Sequence, residues 1–176
     1  MPAVGIILGS DSDLPKIRQC PETLEKLGVD FEIIFSSAHR TPKQTVEWVE
    51  SAPSRGIEVI IAAAGGAAHL PGVCAGHTVL PVVGIPIESN LSGGLDSLLS
   101  IAQMPSGIPV GTMCTGKAAG NNAALFAAQI LATADTELSA RLANHRKAMK
   151  DDIEQKNQTL AKIGYKAYIE KSGESK

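Results

Sequence analysis

The sequence predicts an α/β fold in which helices flank a central parallel sheet of about five strands. Short apolar runs alternate along the chain with segments of helical periodicity, and this alternation is typical of a parallel sheet. The first run, residues 3–8, is almost continuously apolar, as expected of a strand buried on both faces. Aromatic residues make up only 3% of the 176 residues, so aliphatic side chains and alanine must fill the core.

The predicted strands and helices follow one another in regular order. Each strand ends near a glycine or a polar segment, and the five cover residues 3–8, 31–35, 58–63, 82–85 and 110–113. The helices that follow them cover residues 13–28, 41–53, 71–78, 95–104 and 121–133. Asp13 is a suitable N-cap for the first helix, and Thr41 with Pro42 is suited to the start of the second.

A charged helical tail is predicted over residues 136–163. Its apolar side chains recur at intervals of four and seven residues and form a narrow stripe, which consists of Leu138, Leu142, Met149, Ile153, Leu160 and Ile163. We expect a catalytic body over residues 1–134 and a tail over 135–170 that packs on the body or on a neighbouring subunit, with residues 171–176 frayed. A subunit contact is also one explanation for the low charge of the alanine-rich helix 121–133.

The charge balance and the cysteines exclude several classes of function. With 16 Lys+Arg against 18 Asp+Glu, the net charge is −2, so the chain lacks the basic surface of a nucleic-acid-binding protein, and a small-molecule partner is expected. Cys20, Cys74 and Cys114 contain no Cys-x-x-Cys pair, which predicts neither a disulfide framework nor a thiolate metal site. An apolar strand follows the N-terminus directly and no apolar run reaches membrane-spanning length, so we expect a soluble, cytoplasmic protein.

Polar and glycine-rich segments follow four of the predicted strands. They span residues 9–13, 36–40, 65–70 and 87–94. Ligands of open parallel sheets bind beyond the carboxyl ends of the strands. The motifs of α/β-hydrolases, P-loop NTPases, zinc proteases and dinucleotide-binding folds are all missing. The sequence therefore predicts one site at this edge.

The first of these segments, Gly9-Ser10-Asp11-Ser12-Asp13, is suited to a phosphorylated ribose. Backbone N–H groups and serine hydroxyls can hold a phosphate at the positive end of the following helix, and a carboxylate can bind ribose hydroxyls. Capping of the helix by Ser12 and Asp13 is the alternative interpretation.

The second segment, Ser36-Ser37-Ala38-His39-Arg40, places an imidazole beside a guanidinium. Arginine can bind a phosphate with two parallel hydrogen bonds, and histidine can transfer protons near neutral pH. The alternatives are a hydrogen-bonded loop anchor at His39 and a surface ion pair at Arg40.

The third segment combines small residues with a histidine. Gly65, Gly66 and Ala67 permit the close approach of a small, flat substrate, and His69 and Leu70 follow them. Two roles remain open for His69, which can either orient the loop or contact a substrate directly. The other histidines, His77 and His145, lie in helical stretches and are assigned no function.

Five motifs that occur in one order resemble those of a known family. They are Gly9-Ser10-x-Ser12-Asp13, Ser37-Ala38-His39-Arg40-Thr41-Pro42, Ala64-Gly65-Gly66-Ala67-Ala68-His69-Leu70-Pro71-Gly72, Asp96-Ser97-Leu98-Leu99-Ser100-Ile101 and Gln103-Met104-Pro105. The family is that of the 5-(carboxyamino)imidazole ribonucleotide mutases of purine biosynthesis, which are class I phosphoribosylaminoimidazole carboxylase catalytic subunits. The likeness extends from Val4 to about Leu131. Departures from the typical pattern occur at residues 76–77, 88–94 and 114–116.

The resemblance implies a three-layer α/β/α sandwich of flavodoxin- or Rossmann-like type, and a homo-octamer with active sites at subunit junctions. It also implies conversion of 5-(carboxyamino)imidazole ribonucleotide to 4-carboxy-5-aminoimidazole ribonucleotide by decarboxylation and recarboxylation, a reaction that requires no metal or organic cofactor. Carried over by position, His39 is the acid/base and Arg40 binds the phosphate. The other residues expected to contact the substrate are Ser10, Ser12, Asp13, Ser37, Ala38, Gly65, Gly66, Ala67, His69 and Leu70.

Two other functions remain open at this point. A related carboxylase uses free carbon dioxide and aminoimidazole ribonucleotide, but its members carry lysine after the histidine, so Arg40 favours the mutase. A non-catalytic nucleotide- or flavin-binding protein of flavodoxin-like topology is the alternative from another class, because a fold alone does not determine chemistry.

Overall fold

Residues 1–173 are described by the structure, a computed structural model. Five strands form one parallel sheet in the order β2-β1-β3-β4-β5, and they are β1 Val4–Leu8, β2 Phe31–Phe35, β3 Val59–Gly65, β4 Val82–Ile87 and β5 Gly111–Thr112. The α-helices in this part of the chain are α1 Gln19–Lys26, α2 Pro42–Glu50, α3 Leu70–Gly76, α4 Leu95–Ala102, α5 Ala119–Leu131 and α6 Thr136–Gly173. The strand order is the flavodoxin-like one, which reverses direction beside β1.

The sheet separates two layers of helices. Side chains of β1 alternate between two buried clusters, so Ile6 and Leu8 face one side while Ile7 faces the other. The cluster around Ile6 includes residues of α1 and α5, and the cluster around Ile7 includes residues of α2, α3 and α4. All five residues of β1 are buried, as the apolar run predicts. The predicted α/β/α sandwich with a parallel five-stranded sheet is confirmed.

The first helix begins differently from the prediction. A 3-10 turn over Asp11–Ile17 precedes α1, and its N-cap is Ser10, whose side chain accepts from the backbone N–H of Ser12. The prediction that Asp13 is the N-cap is therefore wrong. Because Ser10 takes the capping role, the carboxylate of Asp13 is available for other contacts.

The low charge of α5 has an explanation within the chain itself. Ala123, Ala124, Ala127 and Ala128 are fully buried against the sheet and α1. A Cβ atom at Gly120 would lie 2.9 Å from the carbonyl oxygen of Ile17, so only glycine lets the two backbones approach this closely. Close packing of small residues, and not a subunit contact, accounts for this part of the burial.

The tail α6 is held to the body mainly near its start. Leu138 is buried, and the guanidinium of Arg141 donates to the carbonyl oxygen of Leu27 at 2.8 Å. The helix is interrupted at Gly164, where φ is 77°. Residues 171–173 are the last residues of this helix, and residues 174–176, the rest of the end predicted to fray, lie outside the described residues. No helix in residues 1–173 is both long enough and apolar enough to span a membrane.

Candidate active site

A cavity of about 620 Å³ opens at the carboxyl ends of β1, β2, β3 and β4. It is lined by every residue that the sequence predicted for the site except Ser12, namely Ser10, Asp13, Ser37, Ala38, His39, Arg40, Gly65, Gly66, Ala67, His69 and Leu70. The volume lies within the range of about 300 to 1,000 Å³ that is common for small-molecule sites. The three predicted segments therefore share one cavity, at the edge where open parallel sheets bind ligands.

The serine-rich loop lies at the mouth of this cavity and is held by hydrogen bonds among its own residues. The hydroxyl oxygens of Ser10 and Ser12 lie 2.8 Å apart, and Ser10 also donates to the carboxylate of Asp11 at 3.1 Å. The backbone N–H of Ser12 donates to the same carboxylate at 2.9 Å. Ser12 is exposed beside the cavity, so a ligand that reaches it must extend outward from the pocket.

Asp13 is a buried carboxylic acid on the cavity wall. Only 9% of the residue is exposed, and its Oδ1 lies 3.6 Å from the ammonium nitrogen of Lys16. Burial raises the pKa of Asp13 above its ordinary value, while Lys16 acts in the opposite direction by charge and by hydrogen bonding. Asp13 thus faces a ligand with a carboxylate whose charge is costly unless hydrogen-bond donors meet it.

The two histidines of the site contact each other directly. Nε2 of His39 lies 2.8 Å from Nδ1 of His69, and the rings meet edge to face at 79° with their centroids 4.9 Å apart. In this contact one ring nitrogen donates and the other accepts, so the tautomers of the two rings are coupled. Nδ1 of His39 makes no hydrogen bond within residues 1–173, and His39 lines the cavity. His69 can therefore orient His39 whether or not it touches the substrate.

Arg40, the last residue of the second segment, connects that segment to the first by a hydrogen bond. Its guanidinium donates to the carbonyl oxygen of Gly9 at 3.0 Å, and its backbone N–H donates to the hydroxyl of Ser37 at 3.3 Å. The hydroxyl of Thr41 accepts from the backbone N–H of Ser37 at 2.9 Å and thereby closes the turn. The guanidinium is exposed and retains donors that point to no protein acceptor in the described residues, which suits an anionic ligand.

The glycine-rich turn after β3 has an unusual backbone. Gly66 has a φ of 66° and Ala68 has a φ of 43°, which L side chains rarely adopt. The backbone N–H of Gly66 donates to the hydroxyl of Ser97 at 2.9 Å. This turn leads directly into His69, so its conformation determines where that imidazole lies.

Four polar residues at or behind the cavity wall were not named from the sequence as site residues. Lys16, Glu88 and Ser89 line the cavity, and Ser97 supports it from behind. Lys16 follows Asp13 by three residues, a spacing that brings side chains together in one helical turn and could have revealed it. Ser89 donates to Asp96 at 2.6 Å, a contact seven residues apart that no periodicity indicates.

A larger cavity, of about 900 Å³, lies at the opposite edge of the sheet. It is lined by residues at the amino-terminal end of β4 and by His77, whose Nδ1 lies 3.2 Å from a carboxylate oxygen of Glu50. None of the predicted site residues reaches it. The smaller cavity, which contains the two facing histidines, is therefore the better candidate for the active site. It lies at the carboxyl edge of the sheet and is lined by titratable and charged side chains, and these features count for more than its volume.

Comparison with known proteins matches the chain to one family over most of its length. The family model described as AIR carboxylase matches residues 3–152. An N5-carboxyaminoimidazole ribonucleotide mutase from Thermotoga maritima is 50% identical over 169 residues, which are 96% of this chain and 98% of that protein. The mutase of the same name from Escherichia coli K12 is 52% identical over 150 residues, covering 85% of this chain and 89% of that protein. The crystal structure of Treponema denticola PurE covers 94% of this chain and 100% of its own, with a TM-score of 0.79 and 25% identity.

Proposed function

This chain belongs to the AIR carboxylase family, and we propose that it is an isomerase that converts 5-(carboxyamino)imidazole ribonucleotide to 4-carboxy-5-aminoimidazole ribonucleotide in purine biosynthesis. The observation that carries the proposal is the cavity in which two facing histidines, an arginine and a buried aspartate meet. Relatives about 50% identical over nearly the whole chain carry the name of this mutase. As part of the same proposal, the enzyme acts in the cytoplasm.

The binding part of the site divides into three roles, one for each part of the nucleotide. Arg40 and the hydroxyls of Ser10 and Ser12 hold the phosphate, because they supply charged and neutral donors at one end of the cavity. Asp13 accepts hydrogen bonds from the ribose hydroxyls. The small residues Gly65, Gly66 and Ala67 border the flat imidazole, and Ser37, Ala38 and Leu70 complete the wall. Remote binding energy at the phosphate then fixes the base against the histidines.

The chemistry requires one proton to be moved twice. Protonated His39 delivers its proton to the carbamate nitrogen, the N–C bond breaks with its electron pair on nitrogen, and carbon dioxide is released. The electron-rich ring carbon attacks carbon dioxide, and neutral His39 then removes the proton from that carbon, which restores the aromatic ring and the starting state of the enzyme. His69, 2.8 Å away, holds the ring of His39 in place between the steps.

Carbon dioxide must stay in the site between these steps. The turn over residues 65–70 lines the cavity, and so does Ser89, with which the loop over residues 89–94 begins; closure of this loop over the substrate would exclude water. Glycines with positive φ at positions 93 and 94 give this loop backbone freedom. Retention in a closed pocket makes recapture of carbon dioxide faster than its escape.

The deciding experiment compares two substrates. The purified protein is supplied either with the carbamate substrate or with aminoimidazole ribonucleotide and bicarbonate, and initial rates are measured at matched concentrations. A mutase prefers the carbamate strongly. Comparable or faster carboxylation from bicarbonate would instead assign the protein to the carboxylases, and bound flavin without either activity would indicate the non-catalytic alternative.

We also propose that the tail packs on another copy of the chain, as part of an octamer with shared active sites. In this proposal, the chain consists of a catalytic body, residues 1–134, and a tail, residues 135–170. Of the predicted stripe, Met149 and Ile153 are each 56% exposed, and Leu160 and Ile163 are also exposed. Burial of one such side chain contributes about 1.5 to 3 kcal/mol, so an unpartnered stripe is a strong candidate for an interface.

Charge placed in the stripe is expected to weaken the assembly. In the double variant Met149→Glu, Ile153→Glu, two carboxylates occupy the proposed interface, so we expect a lower sedimentation coefficient at equal protein concentration. The control is Gln155→Glu, which adds a charge of the same sign on the opposite side of α6. A wild-type protein that sediments as a fully active monomer would rule the proposal out.

A further inference from the structure

Ser97 is a buried residue whose hydroxyl joins two walls of the active-site cavity. It lies in the first turn of α4 and is completely inaccessible to solvent. Its Oγ accepts a hydrogen bond from the backbone N–H of Gly66 at 2.9 Å and donates one to the carbonyl oxygen of Ile87 at 2.8 Å. The hydroxyl therefore acts both as a donor and as an acceptor.

The position of this hydroxyl is set by the end of the sheet. Strands β3 and β4 are paired up to Gly65 and Ile87, where the pairing of the two strands ends. The next backbone N–H, that of Gly66, has no partner strand, and Ser97 supplies the acceptor that the sheet does not. Without the hydroxyl, a donor beside the substrate would lack an acceptor in the protein.

The bond from Ser97 adds to a single long hydrogen bond within the turn, in which the backbone N–H of Ala68 donates to the carbonyl oxygen of Gly65 at 3.2 Å. Gly66 adopts its φ of 66° without strain, but Ala68 has a φ of 43°, and a residue with a side chain keeps such a conformation only where its surroundings over-determine it. Ala68 leads into His69, whose Nδ1 lies 2.8 Å from Nε2 of His39. On the other side, Ile87 leads into residues 88 and 89, which line the same cavity. One hydroxyl thus connects the wall that carries His69 with the wall that follows β4.

We propose that Ser97 is a positioning residue for the carboxyl transfer: its hydroxyl fixes the turn after β3 and thereby holds His69 against His39. This inference rests on the proposed function for its kinetic part only. Ser97 touches neither the substrate nor the reacting atoms. Its hydroxyl therefore affects the geometry of the chemical step and not the binding of the phosphate, which lies at the other end of the cavity. Turnover is therefore more sensitive to this hydroxyl than substrate affinity is.

The test compares Ser97→Ala with Ser100→Ala. Ser100 lies on the same helix, is exposed, and only donates to the carbonyl oxygen of Asp96, so its replacement leaves the site intact. For Ser97→Ala we expect kcat to fall by about one to two orders of magnitude, because a buried hydrogen-bonded group is lost, with a much smaller change in KM. The Gly66 amide is expected to exchange with deuterium faster by a similar factor. Ser100→Ala is expected to match the wild type in both measurements.

A third variant keeps the proposal testable if alanine impairs folding. Ser97→Cys retains a weak donor and acceptor, so we expect kcat and Gly66 exchange to lie between those of wild type and alanine. Wild-type kcat together with wild-type Gly66 exchange in Ser97→Ala, or in Ser97→Cys where alanine does not fold, would overturn the proposal. A loss of kcat and affinity by the same factor would also overturn it. Should the wild type have no mutase activity, the proposed function fails, whereas the exchange of the Gly66 amide still tests the role of Ser97.

Discussion

Replacement of His39 by asparagine is expected to lower kcat by a factor of about 10² to 10⁴, the usual contribution of general acid–base catalysis. Asparagine keeps a polar side chain of similar length but does not titrate, so the carbamate nitrogen receives no proton and the ring carbon loses none. Binding of the nucleotide is expected to change little, because phosphate and ribose are held by other residues. Single-turnover rates and equilibrium binding of aminoimidazole ribonucleotide measure the two effects separately.

His77→Asn is the matched control for this variant. Nδ1 of His77 lies 3.2 Å from a carboxylate oxygen of Glu50, and His77 lines the cavity at the other edge of the sheet. Its replacement removes an imidazole from the protein without altering the cavity of His39, so turnover should equal that of the wild type. Near-normal turnover in His39→Asn would end the acid/base assignment, and an equal loss in both variants would assign the effect to folding.

Replacement of Asp13 by asparagine is expected to weaken binding while leaving the fold at least as stable. The variant loses a charged acceptor of the ribose hydroxyls, and hydrogen bonds to charged groups contribute about 1.5 to 3 kcal/mol, which corresponds to a loss of affinity of about 10- to 150-fold. The same carboxylate lowers the free energy of unfolding at neutral pH, because its burial raises the pKa of Asp13. Binding and stability are therefore expected to change in opposite directions.

The sign of the stability effect follows from proton binding. Because the folded-state pKa of Asp13 lies above the unfolded value, near 3.8, the folded state binds the proton more tightly. The stability that the protonated group contributes is fully present below pH 3.8 and is lost as the pH rises through the raised folded-state pKa. The amide of the asparagine variant does not titrate, so Asp13→Asn should have a flatter dependence of Tm on pH between pH 3.8 and neutrality.

The measurement is thermal unfolding of both proteins across this pH range, together with nucleotide binding. Asp30→Asn is the control, since its side chain is 82% exposed and lies far from the cavity. That variant should leave both binding and the shape of the stability curve unchanged. A marked loss of stability in Asp13→Asn at neutral pH would contradict the assignment, because it would make the carboxylate a structural ion-pair partner of Lys16.

Local residue patterns were sufficient for most of the fold. The apolar run of β1 is buried at every position, since a strand covered on both faces needs no polar alternation. Errors occurred where a choice depended on neighbours elsewhere in the chain. Ser10 and Asp13 are both good caps by residue type, and only the path of the 3-10 turn selects Ser10. The edge strand β5 has two residues instead of the predicted four because it pairs only with Val83 and Gly84.

The sequence by itself determined that a serine-rich segment, a histidine–arginine segment and a segment of small residues follow successive strands, because these features reside in residue types and their spacing. Only the tertiary structure decided that His39 and His69, thirty residues apart, meet at 2.8 Å, that Asp13 is buried, and that Ser97 reaches Gly66. The physical reason is the order of the strands. Placing β3 beside β1 and β4 beside β3 brings loops together that are distant in the chain, and that order results from packing of the whole core.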